Sequence, residues 1–365
     1  MNLNPRHFSI VLILLFPALL FAQAASPAPK PESATPAVSQ GSYPVMSATA
    51  KARARQLFGL FESGQSAQLF ASFAPPLKKE GSVAKLATTA KEVATQWGRE
   101  QKILGENFAP DLLSRTTVYS RFSQFSLIKV PVFTVMVLDE QGQVMMIQPR
   151  PVPTPPANRF TDYKVNTKLI LPFSGEWFVY QGGPEIYQNS NAFRDAERYS
   201  IIFTVLKDGR PFSGDGTKNE QFYCYGQPVA APADGTVVMV NDTFADNLPG
   251  RPEQVMPNGN RVLLSHGHQE YSLLLHLKQN SVKVKAGDKV KQGDVVAECG
   301  NSGSSPVPHL EYRLQNTKGV PYPFTLPAEF ANYLADGKPV PSGGPVRGQF
   351  VRNGTETAPP AEEKK

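Results

Sequence analysis

The chain of 365 residues has only two cysteines, five histidines and two tryptophans. Two cysteines, Cys224 and Cys299, allow at most one disulfide. Pairing and burial as two small apolar side chains both stay open. Blocks of like charge are also missing. The formal net charge of +6 is spread along the chain, which argues against a nucleic-acid-binding patch and for a solvated, slightly basic surface. No apolar run beyond the N-terminus is long enough to cross a membrane. No cysteine lies near the predicted cleavage point, which argues against a lipid anchor.

What is present begins with the N-terminus. Arg6 and His7 precede an apolar run from Phe8 to Phe21, and Ala22-Gln23-Ala24 follows as a small-residue cleavage signal. This pattern predicts a secretory signal peptide over 1–24 and a periplasmic or secreted mature chain with no membrane span. Residues 25–45 are rich in Pro, Ala and Ser and read as a disordered linker. The C-terminal 336–365 has the same character and no apolar period, so a disordered tail is expected there. Hydrophobic residues make up 41% of the chain, enough for a sizeable core between these ends.

The middle divides into two patterns. Residues 46–150 begin helical: Ala50, Ala54, Leu57 and Phe61 recur at helix spacing with Leu60 beside them, and Gly64 is a natural stop. A second amphipathic helix follows Ser82, a candidate N-cap. Strand-like segments rich in β-branched and aromatic residues come next, with a hairpin signal at Glu140-Gln141-Gly142. Helices followed by an antiparallel sheet predict an α+β domain. It resembles the small nuclear-transport-factor-two-like domains found beside exported hydrolases. No acid, base or metal cluster stands out in it. A Pro-rich hinge is expected over 151–165. From 166 to 335 nearly every segment is short and strand-like, with Gly, Asp and Asn turns about every ten residues, which predicts an all-β sandwich or barrel.

Several stretches of this second half are specific: "APADGTVV", "HLKQNSV", "GDKVKQGDVV" and "GNSG", within a region from Pro172 to Leu326. Together they resemble the LytM or lysostaphin-like zinc metallopeptidases, which cut peptide cross-bridges in bacterial cell walls. A biotinyl or lipoyl carrier shares the turn in "VKAGDKVKQGDVVAE", but it lacks "HLK" and "GNSG" in this order.

The resemblance implies a zinc ion held by a His and an Asp from an early strand and by the second His of a late His-x-His. Two further His residues would act on the metal-bound water and the developing oxyanion. Carried over residue by residue, "YQNSNAFRDAERYSIIF" puts Asn191 at the His position and Ile202 at the Asp position. In "PHLEY", Glu311 takes the place of the third ligand. The accessory positions remain as His276 and His309. Glu can bind zinc, Asn is a poor neutral ligand, and Ile cannot ligate at all. Displaced ligands would have to come from Asp195, His266 or His268. The expectation is therefore a degenerate, non-catalytic domain with no metal. Its cleft, with Glu311 and Asn191, would bind peptidoglycan or a partner, or regulate a cell-wall hydrolase. The alternative is an active zinc endopeptidase with a rebuilt ligand set.

Overall fold

The computed structural model describes residues 48–153, 156–253, 255–319 and 324–354. The predicted signal peptide and linker lie outside the described residues. The chain divides into two units: residues 48–104 with Thr116–Val152, and Gly105–Arg115 with the residues from Pro153 onward. The expected boundary, which kept all of 46–150 together, is corrected at Gly105–Arg115. No helix among the described residues is long and apolar enough to cross a membrane.

The first unit opens with four helices, α1 (Ala48–Glu62), α2 (Ser66–Ala71), α3 (Pro75–Glu80) and α4 (Val83–Trp97). Helix α1 buries Ala50, Ala54, Leu57 and Phe61 as their spacing predicts, together with Phe58. Leu60 is half-buried instead. Ser82 caps α4 by accepting the Lys85 backbone N–H at 3.1 Å, satisfying a donor that the first helical turn would leave open. Strands β1 (Glu100–Pro110), β2 (Thr117–Phe125), β3 (Val132–Leu138) and β4 (Val144–Pro151) form a meander in that order. The β3–β4 turn is held by Asp139, whose Oδ1 accepts the N–H groups of Gln141 and Gln143 at 2.9 and 2.7 Å. Gly142 supplies the positive φ of 72° that this turn requires.

The expectation that this half lacks an acid or base cluster is corrected. Arg121 donates from Nε to Glu100 Oε1 at 2.9 Å, and a second guanidinium nitrogen and the Ser123 hydroxyl also reach Glu100. Glu62, at the end of α1, sits against Glu100. Partial desolvation of this surface residue and then the Glu100 charge push its carboxyl up to about 7, with Arg121 opposing. A carboxyl raised in the folded state contributes stability below its unfolded value and loses it as pH rises through 7. The first unit is therefore expected to be more stable at pH 5 than at pH 8. Glu62→Gln should flatten that difference in urea unfolding followed by Trp97 fluorescence. An unchanged pH slope would refute the coupling.

The second unit is built from β5 (Trp177–Gln181), β6 (Ile201–Thr204), β7 (Pro228–Ala230), β8 (Gly235–Asn241), β9 (Asn260–Ser265), β10 (Tyr271–Leu277), β11 (Lys289–Val290), β12 (Val295–Glu298), β13 (Leu310–Gln315), β14 (Thr325–Leu326), β15 (Phe330–Ala335), β16 (Lys338–Gly343) and β17 (Phe350–Asn353). Its long sheet runs β11-β8-β9-β10-β13-β6-β5-β17-β15-β16, with β14 paired to β13, and β7 and β12 form a separate pair. Neighbouring strands in the long sheet are antiparallel. Alternate side chains of β13 fill the core: Leu310, Tyr312 and Leu314 are fully buried. On the same side Phe173 stacks on Trp177 with ring centroids 4.7 Å apart. Each such side chain contributes roughly 1.5–3 kcal/mol by leaving water.

The expected disordered tail is corrected up to residue 354. Strand β16 pairs with β15, and β17 inserts between β15 and β5. Ladder hydrogen bonds use backbone groups alone, so an edge strand such as "KPVPSG" needs no apolar period to join a sheet. Cys224 and Cys299 are free, fully buried thiols. Cys224 Sγ donates to the Pro308 carbonyl at 3.0 Å.

Candidate functional site

The centre of the long sheet brings three side chains together. One ligand-type atom each from His276, His309 and Glu311 lie within 4.8 Å of one another. All three residues are buried, with exposures of 3%, 5% and 6%. His276 stands on β10 at a register shift between Leu275 and Leu277. Its φ of 62° is in the left-handed region, which a residue with a Cβ adopts only when its surroundings hold it there. The bulge turns the imidazole toward β13. Gly300 N–H donates to the His276 carbonyl at 3.1 Å, and the ring Nδ1 meets the Ser302 carbonyl at 2.8 Å. The loop "GNSG" makes this approach feasible, because a Cβ on Gly300 would lie 2.2 Å from the Lys278 backbone nitrogen.

Strand β13 supplies Glu311, and His309 stands one residue before that strand. Its period of two puts His309, Glu311 and Arg313 on one face, opposite the core face. His309 directs Nδ1 to the Val307 carbonyl at 2.8 Å, with the Ser305 hydroxyl at 3.1 Å. A carbonyl only accepts, so Nδ1 carries the proton and Nε2 keeps its lone pair. Burial, and then the neighbouring His276, push His309 down to about 4. The two rings lie 4.8 Å apart.

Both oxygens of Glu311 are engaged. Oε1 accepts from Arg313 Nε at 2.7 Å, and Oε2 meets His276 Nε2 at 3.1 Å. Burial alone would raise this carboxyl, but Arg313 and then His276 hold it well below the usual carboxylate range. Arg313 also reaches Glu197 at 3.4 Å, and Glu197 meets Arg194 at 3.0 Å. Arg194 donates to Asn191 Oδ1 at 2.6 Å, while Asn191 donates to the Ser200 hydroxyl at 2.9 Å. The result is a chain of polar contacts from Asn191 through two arginines and two glutamates to His276.

The placement of the sequence-derived residues is therefore mixed. His276, His309 and Glu311 converge. Ile202 is the register partner of Glu311 across β6 and β13, where it offers no donor. Asn191 stands at the far end of the polar chain and is not among the clustered ligand atoms. Two of the displaced-ligand candidates are engaged elsewhere: His266 bonds the Asp234 carbonyl and the Ser272 hydroxyl, each at 2.8 Å. Asp195 pairs with Arg159 and Arg198. Arg313, the residue that closes the cluster electrostatically, was missed by motif matching. Its signal was the two-residue step along "HLEYR".

Residues 220–322 match peptidase family M23. This stretch is a family M23 peptidase domain. The matched part of the M23 domain carries His276, His309, Glu311 and Arg313; Asn191 and Ile202 precede it. Over 101 residues, 28% of this chain, the sequence is 37% identical to an uncharacterized metalloprotease of Haemophilus influenzae. Over 90 residues it is 36% identical to the peptidoglycan DD-endopeptidase ShyA of Vibrio cholerae, covering 24% of this chain. These matches span 18% and 17% of the two relatives' own lengths. Among solved structures, a zinc containing peptidase from Vibrio cholerae aligns over 72% of this chain and 64% of that one, at 14% identity and a TM-score of 0.27.

Family M23 implies a zinc ion. Two imidazoles and a carboxylate are a donor set that zinc accepts. Their present engagement does not fit it. Zinc needs lone pairs turned inward, but both Glu311 oxygens are bonded and both His276 nitrogens face oxygen acceptors. A permanently charged guanidinium stands in hydrogen-bond contact with the carboxylate. As arranged, the residues balance their charges among themselves.

Proposed function

We propose that the M23 domain of this chain is non-catalytic and works by binding, as part of an exported cell-envelope protein that docks on peptidoglycan or regulates a cell-wall hydrolase. The observation that carries this reading is the double engagement of Glu311 by Arg313 and His276, with Ile202 opposite it. A hydrolytic M23 site needs a Lewis acid and an activated water; here Glu311 is hydrogen-bonded to His276 and Arg313, and His309 to Val307 and Ser305. Peptidoglycan as ligand is supported by similarity to ShyA, a peptidoglycan endopeptidase by name. Export is supported by the N-terminal pattern from Arg6 to Ala24. The first unit, helices followed by a four-stranded meander, is read as a nuclear-transport-factor-two-like module for packing or partner contact.

The second reading, an active zinc endopeptidase with a rebuilt ligand set, draws on the convergence of His276, His309 and Glu311 within 4.8 Å. One experiment separates the two. The chain lacking residues 1–24 is loaded with zinc, dialysed and assayed for metal, then mixed with isolated sacculi. We expect substoichiometric zinc, retention on the sacculi or stimulation of an added amidase, and no released peptide. Stoichiometric zinc with release of cross-bridge peptides would establish the enzyme instead. Neither retention nor stimulation would remove the binding role.

A further inference from the structure

We propose that the Arg313 guanidinium stands in for a metal ion, and that a latent zinc site of His276, His309 and Glu311 lies beneath it, closed by this one side chain. The inference rests on the reading that the present arrangement holds no zinc.

The donor atoms are already close enough. His276 Nε2, facing Glu311 Oε2 at 3.1 Å, has a separation near that of two ligands sharing one tetrahedral zinc, for which each bond is about 2.0–2.2 Å. His309 has its Nδ1–H fixed on the Val307 carbonyl, so Nε2 is the ring nitrogen left for a metal. The backbone that aims these groups is rigid: His276 is held at its bulge by the Gly300 and Ser302 contacts, and β13 pairs on both sides with β10 and β6. What stands against a metal is the Arg313 charge, its bond to Glu311 Oε1, and the contact of His276 Nε2 with Glu311 Oε2; the first two trace to Arg313.

Arg313 Nε occupies Glu311 Oε1 at 2.7 Å, and its NH2 group is tied to Glu197 at 3.4 Å. Its side chain is 12% exposed, so its charge is poorly screened. A dication bound by Glu311 would lie within a few ångströms of a charge that cannot be titrated away. The same guanidinium supplies the positive charge that a buried carboxylate needs when no metal is present. Removing it would leave Glu311 with one free oxygen and no counter-charge, between two imidazoles. Because Ile202 offers no donor, the resulting centre would have three protein ligands and an open position.

The test uses the chain without residues 1–24, zinc alone as probe, and dialysed metal content together with zinc-dependent thermal shift as readouts. Wild type should retain no stoichiometric zinc and show no shift. Arg313→Met, which keeps length and removes charge, should bind zinc at least about tenfold more tightly, on the scale of changes around metal ligands, and should melt higher with zinc, as binding to the native state requires. Arg313→Lys should stay closed. Adding Glu311→Gln to Arg313→Met should abolish the gain. If Arg313→Met does not fold by circular dichroism, Arg313→Gln, which keeps a donor for Glu311 and Glu197, takes its place. Stoichiometric zinc in wild type would overturn the underlying reading. No zinc in wild type and none in the folded charge-free variant would overturn the latent site while leaving that reading standing.

Discussion

Glu311→Ala is expected to destabilise the M23 domain by about 3–5 kcal/mol, because it leaves a buried guanidinium without its nearest counter-charge. Arg313 would keep only the longer contact to Glu197 at 3.4 Å, and the imidazole of His276 would lose its acceptor at 3.1 Å. Urea unfolding followed by Trp177, the single tryptophan of this unit, measures the loss, with Trp97→Phe silencing the other unit. The same ion pair removed whole should cost far less. Glu311→Met combined with Arg313→Leu replaces two buried charges by apolar groups of similar bulk, which is often neutral or stabilising. The double variant should therefore lie well above Glu311→Ala in stability. A double variant as unstable as the single one would show that the pair carries net stability beyond mutual neutralisation. The pH dependence has a fixed sign. The folded carboxyl lies below its unfolded value of about 4.3, so its contribution is present above that pH and is lost as pH falls toward the folded value.

Much of this was legible in the sequence, and each exception has its own physical cause. Helix α1, the Ser82 cap and the Gly142 turn follow from local rules, and the structure contains each of them. The M23 domain was legible because its turns and His positions sit in fixed short motifs. Strands β16 and β17 were not, because short strands recruited through their backbone need leave no side-chain period. The cluster of Glu62, Glu100 and Arg121 joins residues far apart in the chain, so no window contains it. Arg313 lay in view beside the motif. It was overlooked because motif reasoning asks which residues match a ligand set, and Arg313 opposes one. Physical alternation along β13 would have placed it on the face of His309 and Glu311.

The second large effect is expected at Glu270, far from the His cluster in role. This residue has no solvent exposure, yet its carboxylate is fully satisfied. Oε1 accepts from the Tyr163 hydroxyl at 2.8 Å, the Asn166 backbone N–H at 2.7 Å and the Asn166 side chain at 3.1 Å; Oε2 accepts the Thr167 N–H at 2.8 Å. Glu270 thereby anchors residues 163–167 onto the turn before β10. Its own turn is fixed by His266 N–H donating to the Glu270 carbonyl at 3.0 Å and by positive φ at His268 and Gln269. Glu270→Ala would leave two backbone N–H groups without acceptors, at about 1–3 kcal/mol each, so a total loss of about 2–6 kcal/mol is expected. Glu270→Gln should recover only part of it, because one amide nitrogen would face donors. Burial opposes ionisation here, and the bonds from Thr167, Asn166 and Tyr163 outweigh it and lower the carboxyl. Stability from this anchor is therefore present at neutral pH and lost in acid, and Glu270→Gln should flatten the acid limb of the unfolding curve. Local release has its own signature: trypsin should cut faster at Arg159 and Lys164 in Glu270→Ala than in wild type under native conditions. Unchanged cleavage at both sites, with unchanged unfolding, would mean that this segment is held by its aromatic contacts, Phe160 against Tyr163 and Phe324, rather than by the carboxylate.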